Sequence, residues 1–218
     1  MSNIFITGPT GNIGTEVLAA LHTSNHKSKL FVGVRDTAFK HKKLSCYDLH
    51  YVRFDFTNTG TFAAAFQNID LLFLLRPPQI SDVSRYFAPL VESAKQAAVK
   101  HIVFLSVQGV ENSKIIPHHK IEKLLVASEI PYTFLRPAYF MQNFTTMLSD
   151  DIVHKKQIYL PAGNASFTLI DTSDIGRVAA AILMSPMQYR FKTFDLTTNE
   201  ARNFKEMACK LSKGLGKK

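Results

Sequence analysis

The sequence predicts an α/β protein built on a doubly wound parallel sheet, and three observations support this prediction. Short runs of apolar, β-branched or aromatic residues alternate with amphipathic stretches of helical periodicity from the first residues onward. The runs are apolar throughout, which is typical of strands that helices cover on both faces. A glycine-rich turn directly follows the first run. With 218 residues, the chain is long enough for one domain, over residues 1–218, with a well-buried core.

Six runs have the length of strands and are separated by stretches with helical periodicity. They span residues 3–7, 30–34, 51–54, 69–75, 101–107 and 132–135. In three of the intervening stretches, apolar residues recur at the spacing of one helix face, so each presents one stripe to the sheet. The stripes consist of Ile13, Val17 and Leu21, then Val83, Phe87, Leu90, Ala94 and Ala97, and last Ile121, Leu124 and Leu125.

Beyond Pro137 the pattern becomes less regular and predicts a small C-terminal lobe on the substrate side, at about residues 140–168 and 186–218. We expect a short helix at 140–148, strands at 157–160, 167–170 and 194–196, and a helix from an N-cap at Asp174 to Met184. A last helix over 203–211 is expected to be entered from Thr198 or Asn199. No long linker separates the two parts, so we expect the lobe to pack directly on the main sheet.

Composition excludes several classes of protein. The two cysteines, Cys46 and Cys209, cannot form the framework of a secreted disulfide-rich domain, and the start of the chain lacks the features of a signal peptide. No apolar run approaches the roughly 18 residues of a membrane span. We therefore expect a cytoplasmic protein that does not associate with membranes.

The charge of the chain favours an anionic ligand. The 26 Lys and Arg residues outnumber the 17 Asp and Glu residues, which gives a formal net charge of +9. This excess would also suit nucleic acid or an acidic membrane surface. Much of it lies in residues 40–43 and 210–218, where a solvated face is expected, so we do not expect nucleic acid as a partner. No metal site is expected either, because the adjacent His118 and His119 would diverge on a helix and no third ligand is evident.

The motif with the most specific context is TGPTGNIG, in which Gly8, Gly11 and Gly14 lie between the first strand and the first helix. Such a turn lets backbone N–H groups approach a pyrophosphate, which the positive end of the helix dipole also attracts. The spacing is GxxGxxG rather than the commoner GxGxxG, and a tight turn that binds nothing is the alternative. The strand before the turn and the helix after it favour a dinucleotide-binding, Rossmann-type fold.

The end of the second strand, about twenty residues after the turn, is where such folds distinguish NADP(H) from NAD(H). Arg35 would bind a 2'-phosphate there, and an exposed arginine without a ligand is the alternative. Asp36 leaves NAD(H) as an alternative cofactor, since an acidic side chain at this position binds the ribose 2'-hydroxyl. Asp55 and Phe56 would flank the adenine, although Asp at a strand end is also a common helix cap. The expected cofactor is NADP(H), with NAD(H) bound more weakly.

A set of segments, taken in order, resembles one known family. The segments are TGPTGNIG, Arg35, RFDFTN at 53–58, LLRPP at 74–78, FLSVQGVE at 104–111 and HHKIEKLLVASEIPYTFLRPAYFMQNF at 118–144. Over nearly the whole chain, the sequence resembles the NmrA-like family of atypical short-chain dehydrogenases/reductases. That family includes NADP-sensing transcriptional regulators and NAD(P)H-dependent quinone and azo-dye reductases. The resemblance therefore implies the fold and the cofactor more specifically than the activity.

The resemblance implies roles for individual residues. The turn would contact the pyrophosphate, Arg35 the 2'-phosphate, and Asp55 and Phe56 the adenine. Tyr139 and Phe140 would close over the nicotinamide, or would instead pack within the lobe. The implied cofactor-binding residues are Gly8, Thr10, Gly11, Asn12, Ile13, Gly14, Arg35, Asp55, Phe56, Leu75, Arg76, Ser106, His118, Tyr139 and Phe140.

The sequence departs from the wider superfamily at the catalytic positions. Its reductases use a tyrosine and, four residues later, a lysine beside a serine; those two positions hold Lys114 and His118, and Ser106 remains. Proton donation by such a tyrosine contributes about 10² to 10⁴ in rate, so alcohol dehydrogenase chemistry is not expected. His118 would bind the ribose or donate a proton near neutral pH, and a polar residue at a helix start is the alternative. Ser106 and His118 are the candidate catalytic residues.

Two functions fit these observations. The first is hydride transfer from NADPH to a small, flat, electron-poor acceptor such as a quinone or azo compound, for which the protein supplies position. The second is a non-catalytic NADP(H) sensor that acts through a protein partner.

The resemblance also implies a longer C-terminal region than this chain has after Gly214. We therefore expect an incomplete wall around the acceptor and an exposed apolar patch that favours a homodimer. The alternative is a naturally short chain whose final helix seals the lobe.

Overall fold

The structure is a computed structural model and describes residues 2–24, 27–38 and 42–216. Ten strands are present in these ranges: β1 (Asn3–Ile6), β2 (Lys29–Val34), β3 (His50–Arg53), β4 (Leu71–Leu74), β5 (His101–Leu105), β6 (Tyr132–Pro137), β7 (Tyr139–Phe140), β8 (Ser166–Ile170), β9 (Lys192–Leu196) and β10 (Ala201–Asn203). Seven of them form a parallel sheet in the order β3-β2-β1-β4-β5-β6-β9. The strand order runs outward from β1 to β3 on one side and from β4 to β9 on the other, so it changes direction between β1 and β4. In open α/β sheets, ligands bind at this position, outside the carboxyl ends of the strands.

Seven α-helices surround the strands: α1 (Asn12–Thr23), α2 (Phe62–Phe66), α3 (Val83–Gln96), α4 (Pro117–Ser128), α5 (Ser149–Val153), α6 (Thr172–Met184) and α7 (Phe204–Gly214). Apolar residues of α2, α3 and α4 pack on one face of the main sheet, and those of α1 and α6 pack on the other. This is the predicted doubly wound α/β fold. The six predicted strands of the main sheet are confirmed, with limits shifted by one or two residues.

A close contact between α1 and α6 sets the position of the first helix. A Cβ at Gly176 of α6 would lie 2.6 Å from the carbonyl carbon of Glu16 in α1, so only glycine permits this approach. The two helices bury their apolar stripes, including Val17 and Leu21 of α1 and Ile175 and Ala179 of α6, in one cluster. The N-terminus of α1 is therefore held firmly beside the end of β1.

The residues after the sixth strand build a second, three-stranded sheet in the order β10-β8-β7. Its residues and α7 enclose a small apolar cluster around Phe144, Leu148 and Leu169. Within the predicted second segment of the lobe, β9 instead pairs with β6 of the main sheet. The predicted strand at 194–196 is thus present, as the edge of the main sheet.

Several predicted limits within this region are wrong. The chain at 140–148 is not one helix, because Phe140 pairs with Ile170 in β7 and only a short 3-10 helix follows at Met141–Phe144. The segment 157–160 forms no strand, although Ile158 and Leu160 still pack against the apolar cluster. The apolar residues of segment 157–160 are thus explained by packing against this cluster and not by pairing in a sheet.

Two predicted helix starts are also wrong. The N-cap of α6 is Asp171 rather than Asp174, because the Asp171 carboxylate accepts a hydrogen bond from the Ser173 N–H at 2.7 Å. The last helix is not entered from Thr198 or Asn199, because residues 201–203 pair with β8. Its N-cap is Asn203, in a reciprocal capping box with Glu206.

Among the helices of the described ranges, none combines the length and the apolar composition that a membrane span requires. The same residues contain no group of three or more His, Cys, Asp or Glu side chains arranged to hold a metal ion.

Candidate functional site

The glycine-rich turn connects β1 to α1 with a compact backbone. Gly8 has a φ of +59°, and the Gly11 N–H donates to the Gly8 carbonyl at 3.1 Å. A Cβ at Gly14 would lie only 2.1 Å from the Gly8 oxygen, so the first turn of α1 rests directly on this loop. No side chain caps α1, and its first turn holds no acidic residue. Its free N–H groups and the helix dipole are therefore available to an anion.

A cleft of about 770 Å³ opens beside this turn at the carboxyl ends of β1, β2, β3 and β4. Its walls combine the glycine-rich turn, the ends of β2 and β3, and the loop after β4. The lining residues are Gly8, Pro9, Thr10, Gly33, Val34, Arg35, Asp36, Phe54, Asp55, Phe56, Thr57, Pro77, Gln79 and Ile80. The structure thus brings Gly8, Thr10, Arg35, Asp55 and Phe56 of the predicted cofactor site together in one cleft.

Arg35 and Asp36 differ in the interactions that their side chains make within the protein. The Arg35 side chain is exposed, and it forms no ion pair with the residues that the structure describes. One oxygen of Asp36 accepts a hydrogen bond from the Ala38 N–H at 2.9 Å, which closes a local turn. The cation is therefore available to a ligand, whereas the carboxylate already stabilises its own loop.

Asp55 and Phe56 lie at the end of β3. The Asp55 carboxylate accepts hydrogen bonds from the N–H and hydroxyl of Thr57 at 2.9 and 2.8 Å, which fixes its orientation. The Phe56 ring is buried and packs against Phe54 and Phe87, with ring centroids 4.9 and 5.5 Å away. Both residues combine a structural role with a place on the cleft wall.

Thr7 was not predicted as part of the site. Its buried hydroxyl donates to the Phe73 carbonyl at 3.2 Å and accepts from the Leu75 N–H at 2.8 Å, which ties the ends of β1 and β4 together. Leu75 in turn lies against the glycine-rich turn, since a Cβ at Gly8 would lie 3.3 Å from Leu75 Cδ1. The position of Thr7 directly before the first glycine is the sequence feature that could have indicated this role.

Arg76 connects the loop after β4 to the start of α4. Its Nη1 donates to the carbonyl oxygens of Pro77, Pro78 and Ile80 at 3.0, 3.1 and 2.8 Å. Its Nε donates to Nε2 of His118 at 3.3 Å. The loop that walls the cleft and the predicted nicotinamide-side imidazole are thus joined through one guanidinium group.

His118 is held in its neutral form by these surroundings. Burial and the charge of Arg76 lower its pKa from 6.5 to about 4. Because Nε2 accepts from Arg76, the proton of the neutral ring belongs on Nδ1. At neutral pH the structure therefore does not support the expected role of His118 as a cationic proton donor, and it leaves one N–H available for hydrogen bonding.

Ser106 lies at the end of β5 and is 1% exposed. Its N–H donates to the Leu135 carbonyl at 2.7 Å, which continues the ladder to β6. Its hydroxyl has no hydrogen-bond partner among the described residues. A buried hydroxyl without a partner costs free energy, so Ser106 is a candidate contact for a bound molecule.

Tyr139 and Phe140 form β7 and face opposite ways. The Tyr139 ring packs within the lobe against Phe144, Phe167 and Phe204, with centroids 5.3 to 5.9 Å apart, and burial raises its pKa. Phe140 packs against the cluster beneath α1 and α6. The contacts of Tyr139 thus correspond to packing within the lobe, which was the alternative to closing over the nicotinamide. Phe144 is buried and Met141 is 39% exposed, so the expectation of an incomplete wall stays a prediction.

A charged network anchors the helix that carries His118. Arg136 of β6 forms a two-point ion pair with Glu122 of α4, with Nε–Oε1 and Nη2–Oε2 distances of 3.0 and 2.7 Å. Its Nη1 also donates to Glu111 at 3.1 Å. Glu122 lies one helical turn after His118, so this pair fixes the helix beneath the site. This pair could not be predicted from the sequence, because no local pattern links residues on α4 and β6.

Replacing Arg136 by methionine is expected to lower the free energy of unfolding by about 2 to 4 kcal/mol, because it leaves the Glu122 carboxylate, 9% exposed, without its partner. For a chain of this size the melting temperature should fall by roughly 4 to 16 °C in thermal unfolding. Combining Arg136→Met with Glu122→Met should recover most of the loss. The exposed Lys95→Met, which removes a 3.9 Å pair, serves as the control. A wild-type melting temperature for Arg136→Met would contradict this role.

Comparisons with known proteins agree with this geometry. The model of the NmrA-like family matches residues 1–218. The chain is 30% identical over 215 residues to prestalk A differentiation protein A of Dictyostelium discoideum, covering 99% of this chain and 70% of that protein. It is 29% identical over 218 residues to the NAD(P)H azoreductase of Xenophilus azovorans, covering 98% and 74%.

A solved structure shows the same likeness in three dimensions. The NADPH-dependent quinone oxidoreductase of Escherichia coli, complexed with NADPH, superposes with a TM-score of 0.85 at 25% identity, over 99% of this chain and 76% of that one. The fold, the glycine-rich turn and the family model all indicate the same family. The chain belongs to the NmrA-like family.

Proposed function

We propose that this protein is an NADP(H)-dependent oxidoreductase that passes a hydride to a quinone- or azo-type acceptor. The observation that carries the proposal is the cleft itself, which is lined both by the glycine-rich turn that leads into α1 and by Arg35, a cation without an ion pair among the described residues. An anion-binding turn alone would suit many phosphates, but a cation at the end of β2 suits the 2'-phosphate that distinguishes NADP(H). The azoreductase and the quinone oxidoreductase named above support this class of reaction.

The residues fit such a cofactor along its length. The N–H groups at Asn12, Ile13 and Gly14 would hold the pyrophosphate, and Arg35 would hold the 2'-phosphate. Asp55 and Phe56 would flank the adenine, and Leu75 would lie beside the ribose at the nicotinamide end. When bound, NADPH supplies the hydride, and the chain contributes position and exclusion of water.

The acceptor class follows from the missing tyrosine. The position of the superfamily's catalytic tyrosine holds Lys114, which is exposed, so no tyrosine hydroxyl donates a proton there. A quinone does not require a strong acid, because the charge that develops on its oxygen is delocalised and water can protonate it. The neutral state of His118 agrees with an acceptor that needs a hydrogen bond rather than a proton from the protein.

The alternative function is a sensor that binds NADP(H) and acts through a protein partner. The same missing tyrosine favours it. Measuring NADPH oxidation with a panel of quinones and azo compounds separates the two functions. Turnover above the rate without protein supports the oxidoreductase, and tight NADPH binding without turnover for any acceptor supports the sensor.

Changing Arg35 to alanine is expected to weaken NADPH binding by roughly 10- to 100-fold, because charge-assisted hydrogen bonds to a phosphate are worth about 1.5 to 3 kcal/mol. NADH, which lacks the 2'-phosphate, should lose little affinity. Titrations of both dinucleotides against wild type and variant measure this. Arg177→Ala removes an exposed arginine on α6 and serves as the control. Equal losses for NADPH and NADH would contradict the role of Arg35.

A further inference from the structure

Arg76 is a half-buried cation without an acidic partner. No carboxylate of the described residues forms an ion pair with it, in contrast to Arg136, which has two. Three backbone carbonyls and the neutral His118 ring surround it. Burial lowers the pKa of its guanidinium group, which still carries its charge at neutral pH. An uncompensated charge of this kind would interact favourably with an anion.

The fold brings Arg76, Ser106 and His118 to the same corner. Leu74 of β4 is paired with Phe104 of β5, and both face the cluster covered by α3 and α4. Arg76 and Ser106 each follow two residues later, so strand alternation directs both toward that face. The His118 ring contacts Arg76 and lies 6.1 Å from the Phe104 ring. Arg76 and His118 are therefore in contact at the end of β4, and Ser106 follows the neighbouring strand β5 on the same face.

This corner holds donor groups that have no acceptor among the described residues. The Nη2 group of Arg76 makes no hydrogen bond with any residue in the described ranges. The Ser106 hydroxyl is buried without a partner, and His118 keeps an N–H on Nδ1. The free Nη2 group and the positive charge of Arg76 complement a negatively charged oxygen.

We propose that Arg76, with Ser106, stabilises the negative charge that forms on the acceptor, in the place of the absent tyrosine. This inference rests on the proposed function. A quinone that takes a hydride from NADPH becomes a hydroquinone monoanion, and NADP⁺ is left. The electron pair comes to rest on the quinone oxygen, Arg76 and Ser106 hold that oxygen, and water supplies the final proton. Acceptors whose reduced form is an oxyanion are therefore the preferred class.

The carbonyl contacts of Arg76 make it suited to this role. Three hydrogen bonds from Nη1 to the 77–80 loop hold the guanidinium in place before any acceptor arrives. A charge that is already oriented stabilises a developing oxyanion without reorganisation.

A phenol that stands in for the hydroquinone tests this inference at equilibrium. 4-Nitrophenol changes its absorption spectrum on ionisation, so the pKa of the bound molecule can be read directly in the presence of saturating NADP⁺. The wild type is expected to bind the phenolate about 10- to 100-fold more tightly than the phenol, which lowers the pKa of the bound probe. Arg76→Met should abolish this preference. Arg177→Met, which removes an exposed arginine on α6, should retain it.

The NADP⁺ affinity of each variant is measured first. If the wild type does not bind NADP⁺, the proposed function itself fails. If it binds NADP⁺ but does not bind 4-nitrophenol, binds it with an unchanged pKa, or keeps the phenolate preference in Arg76→Met, only the present inference is overturned. Should Arg76→Met fail to unfold cooperatively, Arg76→Gln decides, because it removes the charge and keeps a polar side chain that can donate to the loop carbonyls. Loss of the phenolate preference supports the inference, and its retention overturns it.

Discussion

Replacing Gly14 by alanine is expected to weaken NADPH binding at least about a hundredfold and to destabilise the fold. The added Cβ would lie 2.1 Å from the Gly8 oxygen and 2.9 Å from the Pro9 Cα, and neither backbone atom can rotate away. Either α1 shifts or the turn opens, and the N–H groups that would face the pyrophosphate separate. Losing two charge-assisted hydrogen bonds corresponds to about 3 to 6 kcal/mol, which is roughly a hundredfold or more in Kd.

Fluorescence titration with NADPH and thermal unfolding of the same samples measure both effects. Gly214→Ala is the matched control, because a Cβ there meets nothing within 4 Å and helix propensity favours alanine. Gly11→Ala adds a Cβ at an ordinary 3.5 Å from the Gly8 oxygen, so it should lower the melting temperature much less than Gly14→Ala does. Wild-type NADPH affinity and wild-type melting temperature for Gly14→Ala would show that the turn is not built as described.

Acidification is expected to destabilise the protein before its carboxylates titrate. Burial is the main cause that lowers the pKa of both His101 and His118 from 6.5 to about 4, with Arg190 and Arg76 adding to the respective shifts. Between pH 6.5 and about 4, the two histidines bind protons in the unfolded chain but remain neutral in the folded chain. The free energy of unfolding is therefore unaffected by these groups above pH 6.5 and falls as the pH drops toward 4. Near pH 5 the loss is about 2 kcal/mol for each histidine.

Urea unfolding at neutral pH and near pH 5 measures this loss. His101 is buried, and its Nε2 pairs with the Thr133 hydroxyl at 2.8 Å, so His101→Gln should remove about half of the pH dependence. His154→Gln, at an exposed side chain, should leave the dependence intact. Equal free energies of unfolding at the two pH values would contradict the neutral, buried state of both rings.

The main sheet and the glycine-rich turn could be predicted because their causes are local. Buried parallel strands require continuous apolar runs, and the turn requires glycine where a Cβ would strike backbone, as at Gly14. The small lobe could not be predicted to the same degree. Residues 201–203 form a strand only because β8 lies beside them, and Asp171 caps α6 although Asp174 fits the same local pattern.

The candidate site shows the same division. Arg35 and Asp55 could be found because they follow strands at expected positions. The partners of Thr7, Arg76 and Arg136 could not, because they lie far away in sequence: Thr7 bonds to Leu75, and Arg76 bonds to His118 across 42 residues. The state of His118 also depends on this contact. Its sequence context suggested a proton donor, whereas its neighbours in the fold favour the neutral ring.

Joint measurement of the NADPH consumed and the hydroquinone formed, with one water-soluble quinone, tests the proposed oxidoreductase activity most directly. We expect the wild type to consume NADPH faster than the protein-free control, with one hydroquinone formed for each NADPH, and Gly14→Ala to lose this activity. NADH should be used less efficiently because it offers no 2'-phosphate to Arg35. Binding of NADPH without its consumption across the acceptor panel would contradict the proposed oxidoreductase and leave the sensor.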